Sequence, residues 1–138
     1  MKARCIKTTG RELGQPRHGS FYSQESLFSL TLDAHYPILG LGLFDSYLLV
    51  LLKDDTDKPN WLPAGLFEWI PQPLPSDWKF AIVDAQAASG GERTNRWIAR
   101  WGYPELIENP NHSNLLIERD ETAMQIFYEA LLRMGEDG

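Results

Sequence analysis

Few side chains in this chain of 138 residues could serve as acids, bases, nucleophiles or metal ligands. His18, His35 and His112 are the three histidines, and their spacing matches no metal-binding motif such as His-x-x-x-His. His18 and His112 fall in predicted loops, where they could converge as the acid–base pair of a small hydrolase or nuclease. The only cysteine, Cys5, lies in a β-like run and is expected to be a small buried residue rather than a nucleophile. We therefore predict no catalytic residue, no metal site, no cofactor and no enzymatic activity.

A second group of side chains has the composition of a binding surface, in which aromatic anchors are surrounded by charged groups. We predict that a partner binds six residues: Asp54, Asp55, Asp57, Trp61, Glu68 and Trp69. The alternative is a solvated turn followed by a strand with aromatic residues in the core, because alternation places Phe67 and Trp69 on one face. The acidic run also lacks the glycine and the bidentate glutamate of a calcium loop.

The net charge of −6 is unevenly distributed. Five of the 13 basic residues and one of the 19 acidic residues lie in positions 1–20. Positions 21–138 therefore hold eight basic and eighteen acidic residues, a net charge of −10. An acidic body repels nucleic acid and speeds its encounter with basic proteins, so we expect a basic protein partner and no direct nucleic-acid binding. The alternative is that the charge serves only solubility.

The sequence shows no segment for export or membrane insertion. The basic N-terminus is followed by no apolar stretch of the kind that a secretory signal contains. The longest apolar runs, residues 37–44 and 47–52, are far shorter than the roughly 20 residues that span a bilayer. We therefore predict a cytoplasmic protein with no membrane partner.

Four segments together resemble small bacterial proteins that are encoded beside polymorphic or contact-dependent toxins and regarded as their immunity proteins. The resemblance spans roughly residues 28–132 and includes a Trp-x-Pro-Ala-x-x-Phe-Glu segment and a Gly-Tyr-x-Glu-Leu segment. The segments are residues 47–55 (YLLVLLKDD), 61–68 (WLPAGLFE), 75–80 (PSDWKF) and 101–107 (WGYPELI). The resemblance implies inhibition of a cognate toxin, here a basic nuclease, by tight binding that covers its active surface. It carries over no contact residue.

The acidic turn with its Trp-x-Pro-Ala-x-x-Phe segment also resembles the middle of an SH3-like barrel. That resemblance implies the alternative function, a peptide-binding adaptor that uses Trp61 and Trp69.

The elements that must position these side chains form one predicted domain over residues 1–138. Alternation and flanking turns predict strands that include residues 28–36, 47–53 and 66–70, and loops at 85–94 and 109–114. Gly40 and Gly42 within a strand indicate a bend or a close backbone approach. Apolar residues recur at helical spacing from Ala123 to Met134, after a cap at Asp120. The predicted fold is α+β: a strongly bent antiparallel sheet or small SH3-like barrel of about six strands, with a C-terminal helix packed on it.

Overall fold

The computed structural model of the protein describes residues 1–14, 22–45, 47–84 and 97–137. The predicted loop at 85–94 and His18 lie outside the described residues. The strands are β1 (Lys2–Cys5), β2 (His35–Pro37), β3 (Gly40–Phe44), β4 (Tyr47–Lys53), β5 (Pro59–Pro63), β6 (Phe67–Glu68), β7 (Lys79–Ile82) and β8 (Trp97–Gly102). The helices are α1 (Gly10–Leu13), α2 (Pro104–Glu108), α3 (His112–Ile117) and α4 (Glu121–Asp137).

The fold is α+β, as predicted, with the C-terminal helix in place. The described strands form two antiparallel sheets, ordered β2-β1-β6 and β5-β4-β3-β8-β7. Both orders are linear, so these strands form two open sheets in place of the single bent sheet or SH3-like barrel that we predicted.

β4 is buried on both faces and links the two halves of the core. Val50 and Leu52 pack with the three-stranded sheet, whereas Leu49 and Leu51 pack with the helices. Alternating side chains point to opposite faces of a strand, so a strand between two apolar layers needs an unbroken apolar run. Each such side chain contributes roughly 1.5–3 kcal/mol on full burial. The predicted strand at 47–53 is confirmed with the same bounds.

The glycines of the five-stranded sheet let side chains from α2 and β8 approach its backbone. A Cβ atom at Gly40 would lie 2.7 Å from Leu106 Cδ2, and one at Gly102 would lie 2.6 Å from the same atom. At Gly42 a Cβ would collide with the ring of Trp97. Leu106 or Trp97 would have to shift to admit a side chain at these positions, so the close approach predicted at Gly40 and Gly42 is confirmed.

The predicted apolar face of the last helix is also confirmed. Ala123, Phe127 and Ala130 of α4 are buried against β4 and the shorter helices. Asp120 Oδ2 accepts the backbone N–H of Ala123 at 3.0 Å, which is the predicted cap.

Three local predictions are wrong. Of residues 28–36 only His35 and Tyr36 are in a strand, the first two residues of β2, because a turn with Asp33 at φ 69° interrupts the alternation. Of residues 66–70 only Phe67–Glu68 is strand, after a 3-10 turn over Ala64–Leu66. Part of the predicted loop at 109–114 belongs to α3, whose Leu116 is buried in the core.

Candidate partner-binding surface

The acidic turn connects β4 to β5, and its first aspartate is an internal part of it. Asp54 is only 6% exposed. Its Oδ1 accepts the backbone N–H of Thr56 at 2.9 Å, and its Oδ2 accepts the amide of Asn60 at 3.3 Å. Its own backbone N–H donates to the Lys58 carbonyl at 3.0 Å. These bonds close the turn, so the Asp54 carboxylate stabilises the structure and is not presented to a partner.

The second aspartate fastens the turn to β2 and to the segment before it. Asp55 Oδ1 accepts the hydroxyl of Tyr36 at 2.6 Å, and Oδ2 accepts the hydroxyl of Thr31 at 2.7 Å. Burial and the bond to Asp55 both raise the pKa of Tyr36, so its hydroxyl keeps its proton and donates. Asp55 is exposed to solvent, but its carboxylate already has two hydrogen-bond partners within the protein.

The third aspartate is free to face solvent and lies beside α4. The Asp57 side chain is 84% exposed, with the Lys53 ammonium 3.5 Å away. Its carbonyl accepts the hydroxyl of Tyr128 at 2.6 Å. The Arg119 guanidinium also donates to the carbonyl of Pro59. These two bonds hold the turn against the start and the outer side of the last helix.

Around Tyr128 the helix presents further acidic side chains. Glu121 and Glu129 are exposed and share a shallow surface groove with Tyr128. Met124 and Leu132 provide apolar surface in the same groove, and Leu132 is 68% exposed. We call the surface formed by Asp57, Glu121, Glu129, Tyr128, Met124 and Leu132 the acidic face.

The other three predicted residues lie elsewhere. Trp61 is only 9% exposed; its Nε1–H donates to Ser113 Oγ at 3.2 Å and its ring lies 4.6 Å from that of Trp97. Trp69 packs beside the three-stranded sheet and donates to the Ala64 carbonyl at 3.0 Å. Glu68 pairs with Arg4 at 2.6 Å. The six residues predicted to bind a partner therefore lie in separate parts of the structure.

Sequence reasoning missed Tyr128, Glu121 and Glu129. In the sequence, the feature that points to these residues is the polar stripe of α4, which lies opposite the apolar face that the helical periodicity defines. Only the contact between Tyr128 and Asp57, residues 71 positions apart, shows that this stripe borders the acidic turn.

The side chains considered for catalysis are enclosed where the structure describes them. His112 is 1% exposed, and its Nε2 lies 2.6 Å from the Tyr103 hydroxyl. Burial lowers the pKa of His112 and raises that of Tyr103, so the tyrosine donates to a neutral imidazole. Cys5 is fully buried, and burial raises the pKa of its thiol. Within the described ranges no three metal-ligating side chains are grouped.

The chain matches no protein-family model, no curated protein and no solved structure. Among the described residues, no helix has the length and the apolar character that crossing a membrane requires.

Proposed function

We propose that the protein is an immunity protein that binds a basic toxin domain, most simply a nuclease, through the acidic face. The observation that carries the proposal is the bond from Tyr128 to the Asp57 carbonyl, which joins the acidic turn to the acidic stripe of α4. Five acidic side chains of residues 54–60 and 117–129 are exposed, against two exposed basic ones, Lys58 and Arg119; the five are Asp55, Asp57, Glu118, Glu121 and Glu129. The resemblance to immunity proteins supports the same function.

The arrangement suits inhibition without catalysis. A nuclease must attract phosphate, so its substrate-binding surface is positive, and an acidic face competes for it. Charge complementarity accelerates such encounters, while a central aromatic and apolar contact slows dissociation. In this proposal Tyr128 and Leu132 supply that contact. We place this activity in the cytoplasm, where a nuclease would meet its substrate.

The test is protection of growing cells from the toxin domain encoded beside this gene. We expect the protein to protect, and the double variant Glu121→Lys, Glu129→Lys to protect less, with an association rate that loses its salt dependence. Asp77→Lys is the matched control, because Asp77 is exposed and lies outside the acidic face. If the wild-type protein fails to protect, or the double variant protects as well as Asp77→Lys, the proposal is wrong.

A second candidate is a peptide-binding adaptor, which the edge of the five-stranded sheet favours. Phe80 and Ile82 of β7 are 51% and 60% exposed, and β7 ends the strand order of the described sheet. An extended peptide could add to such an edge by strand pairing. Trp61 and Trp69, which the adaptor hypothesis uses together, pack in two different core clusters, so they do not form one binding site. A peptide library from which no extended apolar sequence is enriched would count against this candidate.

A further inference from the structure

A cavity of about 260 Å³ opens between β4, β5 and α3. Its walls include the rings of Phe44, Trp61 and Trp97 and the aliphatic side chains of Leu116 and Ile117. An apolar cavity of about 150 Å³ is large enough to hold benzene, so this one has room for a large apolar side chain.

The polar groups on the cavity wall already have partners within the protein. The Trp61 indole donates to Ser113, the Asn60 amide donates to Asp54, and the Arg119 guanidinium donates to the Pro59 carbonyl. Each of these groups is engaged at least once within the protein, and most of the remaining wall consists of aromatic rings and aliphatic side chains. The cavity therefore favours an apolar occupant.

The opening of the cavity lies next to the acidic turn and the start of α4. Ile117 is 61% exposed at this opening, and Glu118 stands between it and Arg119. Pro59 and Asn60 on the opposite wall follow Asp57 directly. The exposed charged side chains of residues 54–60 and 117–121 are four carboxylates, Asp55, Asp57, Glu118 and Glu121, and two cations, Lys58 and Arg119, which leaves a net charge of −2. An apolar hole within an acidic rim is complementary to an apolar side chain with basic neighbours.

We propose that this cavity receives one large apolar side chain, flanked by lysine or arginine, from the bound toxin domain. This inference rests on the proposed function and adds to it the kind of sequence that is recognised. The acidic face attracts the basic partner, and the cavity then supplies the buried anchor that holds it.

The test compares two peptides, Arg-Lys-Phe-Lys-Arg and Arg-Lys-Gly-Lys-Arg, titrated into the full chain by calorimetry. We expect the phenylalanine peptide to bind about tenfold more tightly, because burial of a phenyl ring accounts for at least that factor. Ile117→Trp should block the opening and abolish this preference, while the salt-dependent affinity for the glycine peptide stays unchanged. Leu27→Trp is the matched control, because Leu27 is an exposed aliphatic residue that does not line the cavity.

A second measurement does not depend on the folding of a variant. A peptide with iodophenylalanine at its centre should quench the fluorescence of Trp61 and Trp97 in the wild-type protein, because both rings line the cavity. If the two peptides bind with equal affinity and the iodophenylalanine peptide causes no quenching, the cavity proposal is wrong. If that equal binding is salt-dependent, the proposed function still stands. Failure of both peptides to bind would also overturn the cavity proposal, and protection from the toxin would then still test the proposed function.

Discussion

The bond between Tyr103 and His112 predicts a measurable loss of stability in a Tyr103→Phe variant. The two side chains are 2% and 1% exposed, and 2.6 Å separates the hydroxyl from Nε2. Removal of the hydroxyl leaves a buried imidazole nitrogen without this donor, which costs about 1–3 kcal/mol. With a urea dependence of about 1–3 kcal/mol per M for small proteins, the unfolding midpoint should fall by about 1 M.

The same pair predicts that stability depends on pH. Burial lowers the pKa of His112 in the folded protein from the ordinary value of 6.5, although Glu105 opposes the shift. As pH falls below about 6.5, the unfolded chain therefore binds a proton before the folded protein does, and stability decreases. The contribution is fully present above this value and is lost as pH falls toward the folded-state pKa. His112→Gln should flatten this dependence, whereas His35→Gln, a change at an exposed position, should retain it.

The assay is urea unfolding followed by tryptophan fluorescence at several pH values. Tyr128→Phe is the matched control for Tyr103→Phe, because it also removes one hydroxyl, from a bond at the surface. We expect it to cost about 0.5 kcal/mol, the lower end for a hydrogen bond. Equal losses in the two variants would refute the argument that burial makes the Tyr103 bond the more important.

Three further predictions concern the frame around the site. Gly102→Ala should lower the free energy of unfolding, measured in urea, by about 1–3 kcal/mol, because its Cβ would lie 2.9 Å from the Leu39 carbonyl oxygen. Gly65→Ala is the control and should lower it less, because no backbone atom lies so close to that position. Equal losses of stability in the two variants would contradict this prediction. Asp54→Ala should cost about 1–3 kcal/mol, because the turn loses its internal acceptor; an unchanged unfolding midpoint would show that the turn does not need it. Cys5 should react with thiol reagents only on unfolding, because it is fully buried with a raised thiol pKa; rapid labelling of the native protein would contradict this.

The elements that could be predicted are those whose pattern reflects local packing. β4 is an unbroken apolar run because it lies between two layers, and α4 has one apolar stripe because it covers one face. Residues 28–34 alternate apolar and polar side chains but do not form a strand, so their alternation does not reflect the two faces of a sheet. Leu30 is buried, Leu32 is 54% exposed, and Tyr36 bonds back to the Thr31 backbone, so the chain turns where the pattern predicts extension.

The candidate binding surface could be predicted from the sequence only in part, because a run of acidic residues does not show which carboxylates bond within the protein. The sequence groups the three aspartates together, but Asp54 and Asp55 accept hydrogen bonds within the protein, whereas the Asp57 side chain is 84% exposed and has a solvent-exposed ion pair with Lys53 at 3.5 Å. A carboxylate that already accepts hydrogen bonds has less to gain from a basic partner than an exposed one, because its interactions must be broken or shared. Binding energy should therefore depend on Asp57 and Glu121, whereas substitutions of Asp54 should change stability first and affinity only through it.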